Sequence, residues 1–145
     1  MSHWFAHGPR RSEAGFVVPQ DAVVPALRGG GGTLHVGLRA TVQGSIRHGG
    51  AVVLGRGVRV AGGVAGGHEV VLGAGCHVRG DVTATGRVVV QWGARIDGQL
   101  RAGSDVLLLG DCRVGAVRAG GDVLVAGAPE TGGLRPEGRV VTRPW

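Results

Sequence analysis

The sequence predicts an all-β chain: a parallel β-helix of triangular cross-section, with about five to six coils of 18 residues and flexible flanks. Three observations predict it. From Val70 to Ala102, apolar pairs recur every six residues: Val70/Leu72, Cys76/Val78, Val82/Ala84, Val88/Val90, Ala94/Ile96 and Leu100/Ala102. Within each triplet the side chains alternate, two to one face and the middle one to the other, as in a short strand. Glycine or a small polar residue fills most of the gaps, where the chain must turn. A period of six with internal alternation keeps no 3.6-residue face apolar, which excludes a helix. Three short strands and three corners close one coil of 18 residues.

Taken in order, residues 1–31 lie outside the repeat and read as a flexible N-terminal segment. Trp4 and Phe5 stand beside Arg10 and Arg11; the group reads first as an ordinary disordered terminus and second as a peripheral membrane contact, since aromatics suit the interface and arginines suit anionic lipid. The apolar stretch Phe16–Leu27 is broken by Pro19 and Pro25, which forbid a regular helix. Arg28 to Gly32 then reads as a flexible hinge of four glycines. Residues 32–141 form the β-helix and 142–145 a tail or cap.

The first coil places Leu34/Val36, Ala40/Val42 and Ile46 inward, with His48 breaking the pattern. The second has Val52/Leu54, Val58/Val60 and Val64/Gly66. Val70 to Ala102 makes the third and fourth. The fifth has Val106/Leu108, Cys112/Val114 and, one residue early, Val117/Ala119. A sixth begins at Val123/Val125 and weakens at Pro129, Thr131 and Pro136, leaving Leu134, Val140 and Val141 for an irregular end. Trp145 is positioned to fold over that end, since terminal coils of a solenoid otherwise expose core and strand edges.

The middle residues of each triplet face outward and stack about 4.8 Å apart. One side carries an apolar stripe, Val53, Val71, Val89, Leu107 and Leu124, below His35. Such a stripe reflects the strand preference of branched side chains, is covered by the chain's own segment 16–27, or serves as lateral contact. The second side carries a basic face, Arg59, His77, Arg95 and Arg113, which reads first as a solvated surface and second as a phosphate or anionic-lipid contact. The third carries Arg47, Ala65, Thr83, Arg101 and Arg118. Cys76 and Cys112 point inward two coils apart, beyond disulfide reach, and read as small core residues.

Composition agrees with an ordered solenoid. Glycine makes up 31 of 145 residues, yet 43 % of the chain is hydrophobic and the glycines fall at regular corners. All 16 basic residues are arginine and the net charge is +6, which permits anionic partners without requiring them. No apolar run reaches the roughly 18 residues of a membrane span, and the N-terminus lacks a signal-peptide core, so a cytoplasmic protein is expected, at the inner face of the membrane if the aromatic segment binds there.

At VRGDVTATGRVVVQWGARIDGQL (Val78–Leu100) the chain resembles the bactofilins, bacterial polymer-forming cytoskeletal proteins. The matching steps are Gly80, Asp81, Val82, Ala84 and then Gly93, Ala94, Ile96, Gly98, within a resemblance that spans roughly residues 33–125. The resemblance implies a right-handed β-helix, polymerisation end to end without nucleotide, and frequent membrane attachment through a short N-terminal segment. It departs at two points: bactofilins commonly close one end of the core with Phe, and here both Phe residues lie in the N-terminal segment; and the apolar stretch 16–27 is longer and more Pro-broken than a bare flexible tail.

Chemistry of other classes finds little support. A hexapeptide-repeat enzyme also uses 18-residue coils, and VRGDV resembles the γ-class carbonic anhydrases, but their zinc site needs three converging His and no His follows His77. No long loop interrupts the coils to shape an acyltransferase pocket. GGGG lacks the Lys and Ser/Thr of a phosphate-cradling loop. No catalytic residue, cofactor or metal is expected, and with few aromatics to stack bases, nucleic acid is an unlikely partner.

The expectation is a cytoskeletal scaffold that binds itself and organises client proteins. Its ends are Leu34, Val36 and Ile46 on one side and Val123, Val125 and Leu134 on the other. The alternatives are a non-polymerising β-helical interaction module, as in the division inhibitors of the MinC family, and a degenerate hexapeptide enzyme.

Overall fold

A computed structural model describes residues 10–12, 15–29 and 32–143. Every regular element among them is a strand. The strands are short because alternation holds for only two to four residues before a corner, and they stack in parallel into a β-solenoid of about seven turns.

The first face stacks Gly15–Val18, Thr33–Val36, Ala51–Leu54, Val70–Leu72, Val88–Val90, Val106–Leu109, Val123–Ala126 and Val140–Arg143 in that order. The second face runs from Val23–Val24 through His77–Val78 and Arg95–Ile96. The third runs from Leu27–Gly29 through Val82–Ala84 and Leu100–Ala102. Each residue pairs with its equivalent one coil on, as in Val70↔Val88, His77↔Arg95 and Val82↔Leu100. Every coil therefore satisfies the backbone of its neighbour.

The core is the column of inward side chains. Val52, Val58, Val70, Leu72, Val88, Val90, Leu100, Val106 and Leu108 are fully buried. Each such aliphatic side chain contributes about 1.5–3 kcal/mol by leaving water. Valine dominates because its branched Cβ fits a pleated surface.

The corner between the first and second faces needs a left-handed residue. Gly57, Gly75 and Gly93 supply it at φ 70°, 71° and 75°. In the first two coils the same corner holds Asp21 and Arg39, at φ 59° and 55°. These two are neighbours in the stack, and the Arg39 guanidinium donates to both Asp21 carboxyl oxygens, at 2.9 and 3.1 Å. That bidentate contact offsets part of the strain of a non-glycine residue there.

The solenoid starts a full coil earlier than the sequence reading places it. Residues 15–29 are not a flexible segment: they pair Val18↔Val36, Val24↔Val42 and Leu27↔Ile46 with the next coil. Val18, Ala22, Val24 and Leu27 are buried. Pro19 lies at the first corner and Pro25 just past a two-residue strand, so neither removes a ladder hydrogen bond. The reading missed this coil because one extra residue separates Leu27 from Ile46, which hides the period. Arg10–Ser12 then pairs antiparallel with Gly15–Val18, so it too belongs to a sheet. Leu34, Val36 and Ile46 consequently lie inside the stack rather than at its end.

At the other end the expected irregularity is a shorter coil. Arg113–Ala119 is one continuous strand, its first half on the second face and its second half on the third. From there the register drops to 17 residues, as in Asp105 to Asp122 and Asp122 to Arg139. Thr142 and Arg143 complete a strand rather than a tail. His48, the outlier of its coil, points inward, and its Nε2 lies 3.1 Å from the Gly32 carbonyl oxygen.

Cys76 and Cys112 are free and buried. Burial pushes both thiols up, Cys112 to about 11. At pH 8 native protein should therefore react with a thiol-exchange reagent far more slowly than urea-unfolded protein, by a factor of about 100 or more for Cys112, because the thiolate is the reacting form. Rapid labelling of the folded chain would show that the coils around residues 76 and 112 open locally.

Candidate interaction surfaces and ends

Three faces and two ends are available for chemistry. On the first face the ladder is Val17, His35, Val53, Val71, Val89, Leu107, Leu124 and Val141. Val53, Val71, Val89, Leu107 and Leu124 are half-buried, because each stacked side chain covers its neighbours, whereas Val17, His35 and Val141 are exposed. Segment 16–27 does not cover this stripe, since it is itself the first coil.

Trp92 stands at the neighbouring corner, 50 % exposed. The Arg56 guanidinium, two coils away, lies 5.9 Å from its ring centroid, a cation–π contact. The sequence reading did not single out either residue. Their spacing of 36, two coils along one corner, was the available signal.

The second face is less basic than its ladder suggests. His77 Nε2 is 3.0 Å from Asp97 Oδ2, and Arg95 Nε donates to Asp97 Oδ1 at 2.9 Å. These partners, His77 first, hold the Asp97 carboxyl below its ordinary value. Arg113 meets Glu130 at 3.3 Å. Of the arginines in this ladder, only Arg59 has no acidic partner among the described residues.

The third face reverses that balance. Its outward ladder is Arg28, Arg47, Ala65, Thr83, Arg101, Arg118 and Arg135. All five arginines are exposed, and none forms an ion pair with a described residue. Three carboxylates at neighbouring corners are spent on backbone: Asp81, Asp105 and Asp122 accept the N–H groups of Gln99, Asp122 and Arg139.

The ends differ. In the first coil, Val18, Ala22, Val24 and Leu27 are at most 3 % exposed, and Arg10–Ser12 occupies the first-face edge. In the last coil, Leu134 is only partly buried and Val140 is 44 % exposed. Val123 and Val125 are covered by that coil, so the C-terminal end falls to Leu134 and Val140. Of the candidate membrane residues, Trp4 and Phe5 lie outside the described residues, as does the proposed cap Trp145; Arg10 and Arg11 sit on the short antiparallel strand.

Among the described residues no group of three or more His, Cys, Asp or Glu is placed to hold a metal ion, and no helix is long and apolar enough to cross a membrane. No protein-family model matches the chain, and no curated protein or solved structure matches it either.

Proposed function

We propose that this chain is a structural protein, not an enzyme, that assembles end to end without nucleotide, as the resemblance to bactofilins implies, and holds client proteins along its faces near an anionic membrane surface on the cytoplasmic side. The open C-terminal coil carries the reading. Its edge strands Glu130–Pro136 and Val140–Arg143 have no further described coil to pair with, and Leu134 and Val140 remain accessible above the core column. A second protomer stacked there would bury the apolar residues and continue the strand ladders. The free energy comes from burial and pairing, so no nucleotide is needed.

A second reading has its own observation. The N-terminal end already buries its inward residues and carries the Arg10–Ser12 hairpin on one edge. Contact through the C-terminal end alone would stop at a dimer, which is the non-polymerising interaction module.

Negative-stain electron microscopy with sedimentation, without nucleotide, tests both. Unbranched filaments are expected, and Val140→Arg should abolish them while leaving the protomer's free energy of unfolding within about 0.5 kcal/mol of wild type, as for an exposed substitution. Filaments unaffected by Val140→Arg would remove the C-terminal contact. A discrete dimer lost on the same substitution would establish the second reading, and a trimer would redirect attention to the hexapeptide enzymes.

A further inference from the structure

We propose that the third face, through Arg101, Arg118 and Arg135 at one end and Arg28 and Arg47 at the other, is a docking surface for the headgroup phosphates of an anionic lipid bilayer. This deepens the membrane-proximal reading above and does not depend on whether protomers polymerise.

Three observations carry it. First, the charge is concentrated and uncompensated. Arg39, Arg87, Arg95 and Arg113 all find acidic partners at 2.9–3.3 Å, whereas the five third-face arginines find none among the described residues. Arg101, Arg118 and Arg135 occupy successive coils, so three guanidinium groups stand within about 10 Å. Like charges stacked this closely repel unless anions lie between them.

Second, the surface has the shape of its partner. The ladder passes through seven successive coils and spans about 29 Å. Ala65 and Thr83 at its centre leave nothing protruding between the two groups of arginines. A bilayer presents phosphates along the whole of such a line. A nucleic-acid backbone winds away from it, and this face carries no aromatic side chain on which a base could stack.

Third, the face dips where a headgroup would enter. A shallow, open groove of about 630 Å³ is lined by Arg28 and Arg47 together with Gly29, Gly49, Gly66 and Gly67. Glycines there let a phosphate approach backbone closely while two guanidinium groups meet its oxygens.

Flotation of the full chain with vesicles tests the proposal; sedimentation would not, because filaments pellet unaided. Wild type should float with phosphatidylcholine–phosphatidylglycerol vesicles and not with phosphatidylcholine alone. R101Q/R118Q/R135Q should lower the partition coefficient roughly 100-fold, from the usual contribution of a surface arginine at an anionic bilayer. R59Q/R95Q/R113Q removes the same charge from the second face and should change it by no more than about threefold. Repeating the series in the Val140→Arg background separates lipid contact from polymer avidity: the ratio between the two triples should persist in either assembly state.

Equal losses in the two triples would reduce the effect to net charge and overturn the proposal. Unchanged flotation of the third-face triple would overturn it in favour of the N-terminal aromatics Trp4 and Phe5. Displacement from vesicles by a short DNA duplex at matched charge would overturn it in favour of a nucleic-acid backbone.

Discussion

Leu100→Ala should lower the free energy of unfolding by about 3 kcal/mol, within the range for a buried leucine truncated in a rigid core. Leu100 is 0 % exposed and stacks between Val82 of the coil before and Val117 of the coil after. Both neighbours are held by their own strand ladders, so neither can move in to fill the space. The coil after it is also the first to be shortened to 17 residues, its second and third faces joined by the unbroken strand Arg113–Ala119. That strand resists the shift that a collapse would need. Leu134→Ala, in the last coil, should cost less, about 1–2 kcal/mol, because its side chain is only partly buried against the core and no further described coil covers it. Urea melts of both in the Val140→Arg background keep assembly from masking the difference. Near-equal costs would mean that the core is not a column of graded burial and that the last coil packs as firmly as the middle.

That gradient explains what the sequence made legible. Between Val52 and Ala102 every inward residue has an equivalent 18 positions away, and the strands and burial follow that period residue by residue. Strict repetition is legible because each coil solves the same packing problem as its neighbour. The first coil was lost to a single insertion. Leu27 and Ile46 are 19 apart, and Pro19 and Pro25 look like breakers until their places outside the strands are known. A solenoid tolerates such an insertion at a corner, where the loop absorbs it, and a period count does not.

The surface was legible in part. The outward ladders follow from alternation, but their net charge does not. Asp97 pairs with Arg95 from two residues away and meets His77 of the previous coil, and Glu130 reaches Arg113 from the following one. Glu130 stands in the same ladder as Arg113 but in the coil where the period had shortened, and so it was not counted with it. Once the acids are assigned, the basic face moves from Arg59, His77, Arg95 and Arg113 to the third side, where Arg28 and Arg135 extend a column whose middle was already visible as Arg47, Arg101 and Arg118. The corner pair Arg56 and Trp92 eluded the reading for a related reason: corners were treated as turns, and side chains that reach across two coils are not encoded in a six-residue step.

Gly67→Val should destabilise the fold by about 3 kcal/mol, and Gly75→Ala by only about 1 kcal/mol, although Gly75 alone of the two has a left-handed backbone. A Cβ at Gly67 would run into the carbonyl oxygen of Gly49 in the preceding coil, a contact between main chains that no rotamer change relieves. Gly67 N–H donates to the carbonyls of His48 and Gly50 at 2.9 and 3.0 Å, so moving the corner outward also strains those hydrogen bonds. Gly67 also lines the shallow groove beside Arg28 and Arg47. At Gly75, φ is +71° and nothing lies within 4 Å of an added Cβ, so alanine meets only the backbone preference. Thermal melts of the two variants rank the effects. If Gly75→Ala proved the more costly, the coils would be limited by backbone handedness at their first corner rather than by main-chain contact at their third. If the predicted order holds, the third corner is where adjacent coils approach most closely, and an anion entering the neighbouring groove would find a wall that cannot yield.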